Sequence, residues 1–335
     1  MKNFLNLDHL RSEELGELLD LAGRLERSPE PEALRGKVLG LLFLNPSLRT
    51  LASFQSGMAR LGGSCFVITP DSSWNLEMRD GIPMVGNAAE HVREAIPVLA
   101  SYADALGVRA FAGGTNLQED LGEPLFSTIE PLCPVPLINM ESAVNHPCQA
   151  LADWKTLDDE GIPAHNGRFV LSWADHPKAL PLAVPSAIVH MAAMRGMDVT
   201  VLRPDGFGLP EQVMARARAA AEASGGSLSE TDDRQLAMEG AHILYAKSWS
   251  STTHYGTPEA EAQARSKLAG WTVDETWFDG ATPDCVFMHC LPVRREVVVR
   301  SEVLDGPRSR VIRQAANRMY TQMAVLRKLM SNRET

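Results

Sequence analysis

Val38-Leu39-Gly40-Leu41-Leu42-Phe43-Leu44-Asn45-Pro46-Ser47-Leu48-Arg49-Thr50 opens as an unbroken apolar run and ends in a polar Ser-x-Arg-Thr segment. The apolar half lacks the alternation of a half-exposed strand, so it reads as a strand covered on both faces, as in parallel sheets. Ser47 stands where it can cap a following helix. A strand that delivers the chain to a helix N-terminus also favours a phosphate there, because the first N–H groups lack partners and the helix dipole is positive at that end. Ser47 and Thr50 add hydroxyl donors, and Arg49 adds a charged fork. A plainer reading stays open at this point, with Ser47 as a cap only and Arg49 as a solvated surface residue.

The same alternation extends in both directions. An opening helix reads from Ser12, taken as its cap, with Leu15, Leu18, Leu19, Ala22 and Leu25 on one face. Further apolar runs recur at Cys65 to Ile68, Ala105 to Val108 and Leu137 to Ile138, separated by helical periods such as Glu90 to Tyr102. The pattern then restarts, with strands expected at Phe169 to Trp173, Val199 to Leu202, His242 to Ala246 and Val286 to Met288. This order predicts an α/β protein of two doubly wound domains with parallel central sheets, and 335 residues suffice for two cores. The expected domains are residues 1–145 and 150–312. The last amphipathic segment, Gln314 to Met330, has no strand after it, so a helix over 314–335 is expected to pack back on the first domain. The polar loop Trp249 to Gly256 is a candidate mobile lid.

A formal net charge of -10 argues against nucleic acid or an anionic membrane surface as the main partner. Any anion then has to be held by a local positive cluster. Five cysteines, without C-x-x-C spacing and with no signal peptide ahead of them, point to reduced thiols in a cytoplasmic protein. No apolar run approaches the roughly 20 residues of a membrane span. The His and Cys residues do not cluster at ligand spacings, so neither a metal nor a cofactor is expected.

Other polar groups fall at comparable strand ends, where ligands of open α/β sheets collect. Arg109 follows Ala105-Leu106-Gly107-Val108, and His146-Pro147-Cys148-Gln149 follows the run at Leu137. A His and a Gln three apart on a first helical turn face the same way, so one can donate to a carbonyl oxygen while the other holds an amide. Cys148 has no identifiable activating base, which argues against a nucleophile. His289-Cys290-Leu291-Pro292-Val293-Arg294 offers backbone carbonyls and an arginine, and Arg318 opens the last helix in Ala315-Ala316-Asn317-Arg318. Each alone is also what a strand end meeting water looks like.

Taken in order, Ser47-Leu48-Arg49-Thr50, Arg109, His146-Pro147-Cys148-Gln149 and His289-Cys290-Leu291-Pro292 resemble the aspartate and ornithine carbamoyltransferase family over nearly the whole chain. The resemblance implies a carbamoyl-phosphate domain, then an amine-substrate domain, and a homotrimer with shared active sites. It implies catalytic roles for Arg109, His146, Gln149 and Cys290. Carbamoyl phosphate would be held by Ser47, Leu48, Arg49, Thr50, Trp74, Arg109, His146, Pro147, Cys148, Gln149, Cys290, Leu291 and Arg318, with Trp74 reaching a neighbouring subunit's site.

The acceptor follows from what is missing and what stands instead. An Asp-x-x-x-Ser-Met-Gly signature for free ornithine is absent, whereas Met140-Glu141, Trp173-Ala174-Asp175-His176-Pro177-Lys178 and Tyr245-Ala246-Lys247-Ser248-Trp249 look like the N-acylornithine branch. By that resemblance Glu141, His176, Lys247, Arg294 and Ala89 serve the acylornithine. Acetyl-specific members carry a Glu where Ala89 stands, and a carboxylate there would repel a succinyl group. The step from Glu141 to His146 also matches the succinyl enzymes, being one residue longer than in the acetyl ones. The expected reaction is therefore carbamoyl transfer from carbamoyl phosphate to N-succinylornithine in arginine biosynthesis, with N-acetylornithine as the alternative and free ornithine behind it. Leu51 departs from the family's Ser-x-Arg-Thr-Arg, which keeps a non-catalytic member open. An NAD-dependent dehydrogenase is the rival of another class, but its G-x-G-x-x-G is missing after Leu44 and after Trp173.

Overall fold

The computed structural model describes residues 1–69 and 74–331. The chain divides into two units, Met1–Ala112 with Gln118–Leu151 and Arg318–Thr335, and Gly113–Leu117 with Ala152–Asn317. These bounds differ from those expected, falling after Leu151 rather than near residue 145. The last helix joins the first unit only from Arg318 on. Residues 332–335 of the expected terminal helix lie outside the described residues.

The first unit runs α1 (Ser12–Arg27), β1 (Val38–Phe43), α2 (Leu48–Arg60), β2 (Ser64–Ile68), β3 (Asn75–Glu77), β4 (Ala88–His91), α3 (Val92–Ser101), β5 (Ala105–Arg109), α4 (Leu117–Leu121), α5 (Pro124–Ile129), β6 (Leu137–Glu141) and the start of α6 (Pro147–Asp159). Its main sheet is parallel in the order β2-β1-β5-β6. The strands β5 and β6 are buried at every position and β1 at all but its first, which is why each reads as a continuous apolar run. A separate two-stranded sheet pairs β3 with β4. Helix α1 begins where expected, but Ser12 is not its cap. Arg11 holds that position, and the Glu14 carboxylate accepts from the Arg11 N–H at 3.1 Å, satisfying the helix start from its third residue instead.

The second unit continues α6 and adds β7 (Arg168–Trp173), α7 (Ala183–Met194), β8 (Asp198–Leu202), α8 (Glu211–Ser224), β9 (Ser227–Thr231), α9 (Arg234–Met238), β10 (Ile243–Lys247), α10 (Pro258–Arg265), β11 (Val286–Met288), α11 (Ser301–Asp305) and the first turns of α12 (Val311–Met330). Five parallel strands lie in the order β11-β10-β7-β8-β9. Both sheets are parallel and doubly wound, as the sequence predicts. No helix among the described residues is long and apolar enough to cross a membrane.

Candidate active site

In the first unit, three neighbouring strands release the chain at the same edge. Leu44 N donates to the Arg109 carbonyl at 2.9 Å and Ala110 N to the Glu141 carbonyl at 2.9 Å, so the loops after β1, β5 and β6 are tied side by side. The loop after β1 ends at Ser47, whose Oγ caps α2 by accepting from Thr50 N at 3.3 Å and also lies 3.0 Å from Thr50 Oγ1. Leu48 is 81% exposed at the helix start while Thr50 is fully buried. Arg318, also buried, donates from Nη2 to Thr50 Oγ1 at 2.7 Å. Gly57 lets α12 lie against α2 there, since a Cβ on it would stand 3.1 Å from Met323 Cγ.

Arg109 ends β5, and Glu141 ends β6. The register slips by one residue between Val108 and Arg109, so Arg109 faces Glu141. Such a bulge re-aims side chains at a strand end. Here it brings the Arg109 Nη1 onto the Glu141 Oε2 as a buried ion pair, and His146 Nε2 stands 3.5 Å from the same oxygen. Glu141, which the resemblance gives to the acylornithine, is thus built into the first unit beside the arginines. Pro147 opens α6, where its missing N–H costs nothing, and the His146 carbonyl accepts from Gln149 N at 3.0 Å. Gln149 and Cys148 are buried.

Electrostatics group these residues further. Burial lowers the pKa of the Arg318 guanidinium, Arg109 and Arg49 push the same way, and Cys148 and Glu141 oppose them. Arg109, Arg49 and Glu141 therefore all lie near enough to Arg318 to act on its charge. The buried Nε atoms of Arg109 and Arg318 make no hydrogen bond, and an unsatisfied buried donor costs about 1–3 kcal/mol. An anion would offset that cost. Burial pushes the Cys148 thiol up to about 12, and Sγ donates to the Asn139 carbonyl at 3.4 Å, both of which argue against a nucleophile.

Trp74 directly precedes β3, and Ala89 lies on β4. Trp74 is 59% exposed and its Nε1 donates to Glu90 Oε2 at 2.9 Å. Ala89, exposed on β4, makes none of the polar contacts above.

In the second unit, His176, Lys247 and Arg294 come together. His176 Nε2 lies 3.1 Å from Arg294 Nε, which can only donate, and Nδ1 lies 2.9 Å from the Lys178 carbonyl. A neutral ring with its proton on Nδ1 serves both contacts, and it does so in place of the alternative in which Nδ1 accepts from the Lys178 N–H, 3.1 Å away. Burial lowers the His176 pKa, backbone bonding to Lys178 opposes this, and Lys247, Arg294 and Arg265 lower it further. His176 thus aims Arg294 with Nε2 while Nδ1 is held at the Lys178 backbone. Lys247 is buried to 9% exposure, and no carboxylate among the described residues pairs with it. Cys290 and Leu291 follow β11; the Leu291 N–H donates to His289 Nδ1 at 2.9 Å, and His289 N donates to Gln314 Oε1 at 3.0 Å.

The expected lid is partly overturned. Trp249, Ser250 and Ser251 are buried, with Trp249 Nε1 donating to the Phe207 carbonyl at 2.8 Å and Ser251 Oγ to the Gly206 carbonyl at 2.6 Å. The small polar residues that suggested mobility are instead tied to backbone oxygens.

Sequence reasoning missed several supporting groups. Glu123, in a left-handed conformation at φ 50°, accepts from Ser142 Oγ at 2.6 Å, Ala143 N at 3.2 Å and Val144 N at 3.0 Å, bracing the loop into His146. Fully buried Asp153 accepts from Tyr245 Oη at 2.9 Å and Gln314 Nε2 at 2.8 Å. Arg265 and Glu261 form a buried pair behind His176. In a lone sequence these resemble ordinary surface charges. Among the described residues, no group of three or more His, Cys, Asp or Glu side chains is placed to hold a metal ion.

The carbamoyl-P binding domain of aspartate/ornithine carbamoyltransferases matches residues 2–159, and the Asp/Orn binding domain of the same family matches residues 183–329. An N-acetylornithine carbamoyltransferase of Xanthomonas campestris pv. campestris is 38% identical over 97% of this chain and 97% of its own length. An N-succinylornithine carbamoyltransferase of Bacteroides fragilis is 35% identical over 89% of each. Among solved structures, an N-acetyl-L-ornithine transcarbamylase in which a glutamate is replaced by alanine, complexed with carbamyl phosphate and N-succinyl-L-norvaline, superposes with a TM-score of 0.95 at 37% identity, covering 98% of this chain and 100% of that one. The clustered arginines, the His-Pro-Cys-Gln helix start and both matched domains show that this chain belongs to the aspartate/ornithine carbamoyltransferase family, in the branch whose named relatives are N-acylornithine carbamoyltransferases.

Proposed function

We propose that the protein transfers the carbamoyl group of carbamoyl phosphate to the side-chain amine of N-succinylornithine, releasing N-succinylcitrulline and phosphate, as a step of arginine biosynthesis. The observation that carries the transfer reaction is the set of Arg49, Arg109 and Arg318 around the capped start of α2, with His146 beside Glu141. That set suits a dianionic phosphate bearing a carbonyl. The phosphate lies against Ser47 to Thr50, and Arg109 and His146 stabilise the charge that grows on the carbonyl oxygen as the amine attacks. Gln149 orients the carbamoyl NH2. The C–O bond to phosphate breaks as the C–N bond forms, and the leaving phosphate takes the amine proton, so no covalent enzyme intermediate is needed.

On the acceptor side, neutral His176 leaves the Arg294 Nη groups for a carboxylate, and Lys247 offers a second cation. Ala89 supports succinyl: it brings no charge and little bulk where acetyl-specific members carry a glutamate. The relative solved with N-succinyl-L-norvaline had its own glutamate replaced by alanine. The exposure of Trp74 supports its reaching a neighbouring subunit in a homotrimer. A second reading, N-acetylornithine as acceptor, is favoured by the somewhat higher identity to the enzyme of that name.

The test is product formation with carbamoyl phosphate and, in parallel, N-succinylornithine, N-acetylornithine and ornithine. Preference for the succinyl compound is expected, and Ala89→Glu should reverse the ratio of the two acylornithines by at least about tenfold through like-charge repulsion. Preference of the unaltered protein for the acetyl compound would sink the acyl assignment and keep the transfer. Turnover of none would sink both.

A further inference from the structure

Arg265 ends α10 at 5% exposure. Its ion-pair partner is Glu261, one helical turn earlier and 4% exposed, at 2.7 Å, and the Asp175 carboxylate adds to the negative charge around it. Burying a charge pair is expensive, so what the pair accomplishes is worth asking. The guanidinium gives Nη2 to the Trp249 carbonyl at 2.5 Å, Nη1 to Ser248 Oγ at 3.0 Å and to the His176 carbonyl at 3.4 Å, and Nε to Glu261 at 3.0 Å. Its plane is flanked by Trp173, with ring centroid 5.3 Å away, and Phe207, at 5.2 Å. Glu261 Oε1 in turn accepts from Ser251 N at 3.1 Å. One rigid fork therefore grips the segment that carries His176 and the segment that follows Lys247.

We propose that Arg265, compensated by Glu261, is a positioning residue that sets the spacing of His176 and Lys247 and so tunes affinity for the acylated acceptor. This deepens the functional reading above and rests on it for the identity of the ligand. The fork geometry matters, because a lysine at this position has a point charge and cannot reach three carbonyl or hydroxyl oxygens in a plane. The contacts lie wholly in the second unit, so the carbamoyl-phosphate groups of the first are untouched.

Arg265→Lys, Arg265→Met and Glu261→Gln would be compared with the unaltered protein by calorimetric titration with N-succinylornithine and with carbamoyl phosphate, and by hydrogen exchange. Acceptor affinity should weaken about 10- to 100-fold, the range expected when a binding group is displaced by about an ångström, with carbamoyl-phosphate affinity within about twofold. Exchange should quicken in peptides covering 174–178 and 247–252 only. Equal loss for both ligands, or unaltered acceptor affinity in Arg265→Met, overturns the proposal. If the unaltered protein binds no acylornithine, the functional reading fails, and the exchange data still decide this one: localised quickening upholds the positioning role, and unchanged or uniform exchange refutes it. Should Arg265→Met not fold, Arg265→Lys and Glu261→Gln carry the same comparison.

Discussion

Replacing Glu141 by glutamine removes one charge and leaves the shape nearly unchanged. Glu141 and Arg109 are each less than a tenth exposed, and Arg49 and Arg318 lie close enough to act on the same electrostatic balance. The cluster then goes from three positive groups around one negative to three around none. Stranding a buried cation by deleting its partner costs about 3–5 kcal/mol, and for a unit of this size that lowers the melting temperature by roughly 6–20 °C. The same change strengthens attraction for a phosphate dianion, by about 1–5 kcal/mol if the added charge acts over roughly 6 Å between aqueous and protein-like screening. Differential scanning calorimetry with and without inorganic phosphate measures both. Glu141→Gln should melt lower than the unaltered protein when free and gain more from phosphate. Equal melting temperatures without ligand, together with an equal or smaller gain from phosphate, would refute the idea that Glu141 balances this cluster.

Three further outcomes are expected. Thr50→Val removes the acceptor of the Arg318 Nη2 bond and should raise the KM for carbamoyl phosphate about tenfold, with the acceptor KM unchanged, in steady-state assays. Neutral His176 accepts from Arg294, and its pKa lies below the ordinary value, first through burial. The stability and acceptor affinity it lends are therefore complete above pH ~6.5 and lost as pH falls through the lowered value, read as a rising acceptor KM in acid that His176→Gln abolishes. Cys148, with its thiol pushed up to about 12, should resist iodoacetamide at neutral pH in the native protein, and Cys148→Ala should keep more than about a tenth of the activity.

Two-sided burial made most of the strands legible, while β2 and β8, only partly buried, were still found from their short apolar runs. β1, β5, β6, β7, β10 and β11 announce themselves as apolar runs because both faces meet helices. β9 did not: Ser227-Leu228-Ser229-Glu230-Thr231 lies at a sheet edge, largely exposed, so its pattern is polar and strand-neutral. The short β3 and β4 escaped for the same reason. Among the candidate site residues, the places of Ser47, Arg49, Thr50 and the His146 to Gln149 run in the fold were readable because they sit at strand ends and helix starts, positions that local pattern can locate. Arg318 meets Thr50 only through folding, 268 residues later in the chain. Glu123, Gln314 and Arg265 act through backbone atoms of distant loops, and Asp153 acts through the side chains of Tyr245 and Gln314; a single sequence holds no periodic trace of either.

The bond from Arg318 to Thr50 also has a consequence for the order in which the protein is made. Chains emerge at about 5–20 residues per second, so the arginine follows its threonine by roughly 15–50 s. During that interval β1, β5 and β6 can assemble with Arg49, Arg109 and His146 in place, but the cradle around α2 lacks its last cation. A nascent chain that has not reached residue 318 therefore lacks the Arg318–Thr50 bond, and the proposed phosphate site is incomplete until then. On the proposed function, the site for carbamoyl phosphate is completed late in synthesis, after the second unit has been translated.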